Sequence, residues 1–175
     1  PSEPVEAICA TATAEAGMVA PANYNCPGQV VISGENAGVE RAMELAKAAG
    51  AKRAIKLNVS GAFHSALMES ALDGFTQVIG SVAFRDTTFP VYANVNGEAV
   101  RSAARAKDLL LRQLTSPVRW SDEVTAMAAA FPNATFVEMG PGAVLVGLVR
   151  KIAPNVRTMT CGTVADVNQL LEMAA

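Results

Sequence analysis

Apolar and polar positions follow two rhythms that alternate along the chain. Residues 5–16, rich in Ala, Glu and Thr, predict a helix, and residues 18–24 predict a strand. Asn25-Cys26-Pro27-Gly28 reads as a turn, because Pro fixes φ and Gly admits positive φ. A short β-branched strand is expected at 29–33. Residues 36–49 predict a helix with Asn36 as N-cap and Gly50 just past its end. Its apolar positions Val39, Met43, Leu45 and Ala46 fit helical spacing only loosely. Residues 53–59 alternate polar with apolar side chains, the pattern of a half-buried strand. The first sixty residues thus read helix–strand–strand–helix–strand. This is a ferredoxin-like βαββαβ unit without its first strand.

The pattern then changes. Residues 65–79 predict one long helix with Leu67, Met68, Leu72, Phe75, Val78 and Ile79 inward. A strand is expected at 89–95, with Pro90 at an edge or first turn and Asn96-Gly97 as the following turn. Helices are predicted at 104–114 and 122–131, and a strand at 135–138. A Gly140-Pro141-Gly142 turn, a helix at 143–152, a strand at 156–160 and a helix at 164–172 complete the chain. Such alternation is α/β layering. Two units are expected, 1–60 and 61–175, meeting near residues 58–62, where a cleft between units is a favoured place for a site.

Composition narrows the function classes. Of the 175 residues 51% are apolar and 17% charged, which argues for a packed globular chain. A net charge of -2 offers no nucleic-acid footprint. No apolar run approaches the roughly 18–20 residues that span a bilayer, so no membrane partner is expected. Pro1-Ser2-Glu3-Pro4 lacks the basic and apolar regions of a signal peptide, and no initiator Met is present. The expectation is a piece of a longer, non-secreted protein of the cytoplasm or an organelle stroma or matrix. Cys9, Cys26 and Cys161 are odd in number and show no CxxC spacing, so they read as reduced thiols. With one His and no Cys/His cluster, no transition-metal site is expected.

That single histidine, His64, sits in Val59-Ser60-Gly61-Ala62-Phe63-His64-Ser65-Ala66-Leu67-Met68, after a strand-like run and before a helix-like one. Joints of this kind present catalytic side chains, and imidazole can serve as base and acid in one cycle. A lone His is more often merely packed or solvated. Gln113 precedes Leu114-Thr115-Ser116-Pro117-Val118-Arg119-Trp120, and Pro117 should stop the helix near Thr115. A Gln there could fix an imidazole tautomer through its amide or its carbonyl, or simply be solvated. Asn23-Tyr24-Asn25-Cys26-Pro27-Gly28-Gln29 is either plain turn chemistry or a set of amide donors lining a cleft. The Glu138-Met139-Gly140-Pro141-Gly142-Ala143 joint is a structural turn or a weak anion site at a helix N-terminus. No GxSxG elbow occurs, and Ser60 and Ser65 are too close to His64 in sequence to attack with its help. Either His64 is not catalytic, or its nucleophile lies outside this chain.

These four blocks, with Gly50-Ala51-Lys52-Arg53 as a fifth, resemble the malonyl-CoA:acyl carrier protein transacylase family in order and spacing. The resemblance implies transfer of malonyl from coenzyme A to the phosphopantetheine thiol of acyl carrier protein, through a malonyl-serine ester, in fatty acid biosynthesis. It implies a ferredoxin-like small subdomain at 1–60 and the C-terminal part of an α/β-hydrolase-like large subdomain at 61–175. His64 maps onto the general base and acid, and Gln113 onto the residue that orients it. Asn23 maps beside the acyl or pantetheine cleft, and Phe63 onto a position whose ring would crowd a 2-methyl branch, favouring malonyl. Coenzyme A thioester and acyl carrier protein are the implied partners, with no cofactor. Lys52, Arg53, Lys56, Arg150 and Lys151 are candidates for docking the acidic carrier. The family's GHSLG elbow, oxyanion-hole glutamine and malonyl-binding arginine are not in this sequence. The chain therefore reads as a C-terminal portion whose partner is the N-terminal portion of the same enzyme, and which is inactive alone. The competing expectation is a non-catalytic carrier-protein-binding or scaffold module.

Overall fold

Helix α1 (Glu3–Ala16) places Pro4 in its first turn, where a missing N–H leaves no bond unmade. The computed structural model describes residues 3–59 and 61–174; Ser60 therefore lies outside the described residues. Strands β1 (Val19–Cys26) and β2 (Gln29–Gly34) form an antiparallel hairpin with irregular register between Pro21 and Asn23 and again between Tyr24 and Cys26. Helix α2 (Asn36–Ala48) begins at the residue expected to cap it. Glu35 is extended and takes the N-cap place without a side-chain cap bond, so Asn36 is already helical. Gly50 does end the helix. At φ +87 it allows Gly50 N–H to reach Lys47 O and Ala51 N–H to reach Ala46 O, the paired bonds of a Schellman turn. Small Ala12 and Ala42 are fully buried and pack with Cys9 and Val19; Val5, Ile8, Ile32, Val39 and Leu45 close around them.

The strand expected at 53–59 does not form. Residues 53–59 have no regular structure, and Ile55, Leu57 and Val59 are 69%, 54% and 65% exposed. Alternation produces a strand only where a neighbour takes the backbone N–H and C=O groups, and no described strand pairs with this one. The single helix expected at 65–79 is instead a 3-10 helix (Ala66–Ala71) followed by α3 (Leu72–Ser81). Its inward stripe is narrower than the sequence suggests: Met68, Leu72 and Phe75 are half-buried and Ile79 is buried, whereas Leu67 and Val78 are exposed. Strand β3 (Val91–Ala93) starts just after Pro90 and pairs with β4 (Glu98–Val100), which three residues of sequence pattern could not announce. Helix α4 (Ala103–Gln113) is capped by Ser102, whose Oγ accepts from Arg105 N–H, while Asp86 Oδ1 accepts from Ala103 N–H at 2.8 Å; the helix buries Leu109 against Val95 and Val100.

Helix α5 (Trp120–Ala130) leads to β5 (Thr135–Met139), α6 (Val144–Ile152), β6 (Arg157–Cys161) and α7 (Val164–Ala174). Strands β5 and β6 are parallel, with Thr135 opposite Arg157 and Met139 opposite Cys161. Thr163 and Asp166 cap α7 reciprocally, and those bonds hold the Asp166 carboxyl below the usual range. The architecture is mixed α/β. The chain parts into two compact units within α5, Pro1–Glu123 and Val124–Ala175. The pattern boundary near 58–62 falls inside the first of these. Within that unit a backbone bridge joins the two stretches: Tyr24 N–H donates to Val118 O at 2.9 Å and Val118 N–H to Ala22 O at 2.8 Å. Among the described residues no helix is long and apolar enough to cross a membrane, and no cluster of three His, Cys, Asp or Glu could hold a metal ion. All three cysteines are buried free thiols.

Candidate functional site

His64 is the one non-glycine residue at positive φ (60°) among the described residues. A left-handed backbone at such a residue costs about 1–3 kcal/mol and persists only where neighbours impose it. Ser65 imposes it here. Ser65 is 2% exposed, its Oγ donates to Ala62 O at 2.6 Å, and its carbonyl accepts from Met68 N–H. The hydroxyl therefore closes the turn around Phe63 and His64. Its proton is committed to that bond.

The imidazole Nδ1 lies 3.2 Å from the backbone oxygen of Gln113. Gln113 is the last residue of α4, so its carbonyl is among those a helix leaves without an intrahelical partner. The Gln113 amide Nε2 is 3.4 Å from the same ring nitrogen, but it donates to Ser116 O at 2.8 Å and to Pro117 O at 3.4 Å. An acceptor carbonyl facing Nδ1 requires the proton there, which leaves Nε2 with its lone pair. The carbonyl suits an Nδ1–H tautomer, and the amide ties down the loop that follows it.

Asn23 enters the same neighbourhood through the backbone. It pairs with Val118, next to the Ser116 and Pro117 carbonyls that hold Gln113. Three blocks far apart in sequence are thus joined within one compact unit. Phe63 beside His64 is half exposed. Lys52 and Arg53 are exposed, and Lys56 pairs with Glu40 at 2.7 Å, which lowers the Glu40 carboxyl below its ordinary value. Arg150 and Lys151 close the last turn of α6, with Arg150 Nε donating to Thr158 Oγ1.

Two features carry no site. The α6 N-terminus is not open to an anion, because Glu138 already accepts from Leu145 and Val146 N–H at 3.1 and 2.8 Å. A cavity of about 260 Å³ is lined by Tyr24, Cys26, Pro27 and Gly28 of the hairpin-tip block with Arg119 and Asp122, but by none of His64, Gln113, Asn23 and Phe63. Its polar groups satisfy one another: Tyr24 OH donates to Glu6 at 2.7 Å, and Arg119 pairs with Asp122 at 3.1 Å. Burial and Glu6 push the Tyr24 hydroxyl up to about 12. The sequence reading missed Ser65 as the support of His64 and the Ser116 and Pro117 carbonyls as partners of Gln113. Only the Ser-to-residue-minus-three spacing hinted at the first.

Residues 5–167 match the acyl transferase domain. The chain belongs to the acyl transferase domain family. It is 43% identical over 158 residues to a malonyl CoA-acyl carrier protein transacylase of Bacillus subtilis, a match covering 90% of this chain and 50% of that protein. The chain thus spans about half the length of the curated relatives it matches. Among solved structures it is similar to an acyl carrier protein S-malonyltransferase from Vibrio cholerae, with a TM-score of 0.91 and 40% identity over 97% of this chain and 55% of the other. It is also similar to a malonyl-transacylase in complex with a type II PKS acyl-carrier protein, with a TM-score of 0.91, 38% identity and coverage of 98% and 55%.

Proposed function

We propose that this chain supplies the acid–base half of a malonyl-CoA:acyl carrier protein transacylase site, serving fatty acid biosynthesis. One observation carries the reading: His64 Nδ1 lies 3.2 Å from the Gln113 carbonyl, an acceptor that would keep the ring proton on Nδ1 and leave Nε2 free as a base. The nucleophile is a serine that these 175 residues do not present in an elbow. His64 Nε2 takes the serine proton as the oxygen attacks the malonyl thioester carbonyl. Collapse of the tetrahedral intermediate breaks the C–S bond, and His64 returns the proton to the coenzyme A thiolate. In the second half-reaction His64 deprotonates the carrier-protein thiol, which attacks the malonyl-serine ester, and the serine oxygen leaves with that proton. The chemistry needs no cofactor beyond the two thiol-bearing substrates.

Asn23 contacts the acyl or pantetheine chain, and Phe63 disfavours a branched acyl group. In this reading residues 1–60 belong to a ferredoxin-like subdomain and 61–175 to the C-terminal part of a hydrolase-like one, and the isolated chain is inactive. The setting is a reducing cytoplasm, stroma or matrix. The test combines this chain with the half of the Bacillus subtilis relative that it does not match, and measures malonyl transfer to phosphopantetheinylated carrier protein. Transfer that needs both pieces supports the proposal. Carrier-protein binding without transfer by the pair would favour a scaffold module instead.

Carrier docking is proposed to use Lys52, Arg53, Lys56, Arg150 and Lys151. Charge reversal at Lys56 or Arg150 is then expected to weaken transfer to the acidic carrier protein, most at low salt, and to spare hydrolysis of malonyl-CoA. Equal loss in both assays would remove these residues from docking.

A further inference from the structure

Glu123 is 3% exposed, the one buried charged residue among those described, and the proposed chemistry does not use it. Burying a carboxyl is costly unless it finds a partner. Arg119 is not that partner, since its guanidinium pairs with Asp122. The carboxamide of Asn94 faces Glu123 instead. With Nδ2 on that side it donates to Oε1 at 3.1 Å and to Oε2 at 3.0 Å. Burial, followed by the Asp122 charge, pushes the Glu123 carboxyl up to about 7, while the Asn94 donor favours the ionised form and works the other way.

The backbone of Asn94 grips the same place. Its carbonyl accepts from Arg119 N–H at 2.8 Å, and the Arg119 carbonyl accepts from Asp122 and Glu123 N–H at 3.1 and 3.0 Å. Gly97 makes the approach feasible: it sits at φ +72, and a Cβ there would lie 2.8 Å from Asp122 Cβ. The segment 116–119 is therefore clamped three ways. Gln113 Nε2 holds its first two carbonyls, β1 bridges Val118, and Asn94 holds Arg119 and the start of α5.

We infer that the buried Asn94–Glu123 pair is a positioning element, which fixes the 116–119 segment and through it the Gln113 carbonyl that sets the His64 tautomer. Its consequence for rate rests on the proposed role of His64; its effect on the tautomer does not. His64 is the only histidine, so ring nitrogen–proton correlations from the ¹⁵N-labelled chain report it without overlap. The parent is expected to show the Nδ1–H form. Glu123→Leu and Asn94→Ala are expected to raise the Nε2–H form severalfold, while Glu123→Gln, which still offers Asn94 an acceptor oxygen, keeps the parent pattern. A folded Glu123→Leu chain with the parent tautomer would overturn the inference. If Glu123→Leu does not fold, Asn94→Ala decides in the same way. In the two-piece transfer assay Asn94→Ala should lower kcat by about tenfold to a hundredfold with KM little changed, as a misplaced acid–base group does. Loss of the tautomer preference without loss of transfer contradicts the role of His64 and leaves the positioning intact.

Discussion

His64→Ala is expected to lower malonyl transfer by roughly 10²–10⁴-fold, the usual worth of a positioned acid–base group. The loss should fall on kcat and appear in both half-reactions, since one imidazole serves the serine proton, the coenzyme A thiolate and the carrier thiol in turn. The backbone supplies a control. His64 sits at φ 60, where Ala is strained but Asn is better tolerated. His64→Asn should therefore lose as much transfer as His64→Ala while keeping more of the thermal stability. Steady-state and single-turnover transfer, read beside thermal unfolding of both variants, checks this. Near-normal turnover in either variant would remove His64 from the chemistry.

Gln113→Glu is expected to be far more damaging than Gln113→Ala. The group nearer to His64 is a backbone carbonyl, at 3.2 Å against 3.4 Å for the side-chain amide, and it survives any substitution. The side chain instead donates to Ser116 and Pro117 carbonyls. Alanine removes those bonds and leaves space for water. A carboxylate puts acceptors against two further acceptors, at a cost of about 1–3 kcal/mol for the lost bonding, or roughly tenfold to a hundredfold in rate. If the amide itself were the group that orients His64, alanine and glutamate would do equal harm, and kcat for the two variants separates the cases.

The residues that the structure brings together at the candidate site were legible in the sequence where each stands in a local block. His64, Gln113 and Asn23 stand in runs with a distinctive order, and the Pro after Gln113 marks where α4 must stop. Elements with self-contained pattern, such as α1, α2 and α6, could be read for the same reason. What depends on tertiary neighbours could not. Residues 53–59 carry a strand pattern but have no described strand beside them, and β4 is too short to show a period. Glu123 looks like a solvated helix-start acid until Asn94, twenty-nine positions earlier, is seen to face it. The left-handed turn of His64 depends on the Ser65–Ala62 bond, which composition does not announce.

The most direct measurement is where the malonyl group resides. The chain, joined with the unmatched half of the Bacillus subtilis relative, is mixed with malonyl-CoA, quenched in acid and mapped by peptide mass spectrometry. The account predicts malonyl on a serine of the complementing half, none on this chain, and loss of that adduct when His64 is replaced by alanine. Malonyl on Ser65 or any other residue of this chain, or an adduct indifferent to His64, would contradict it.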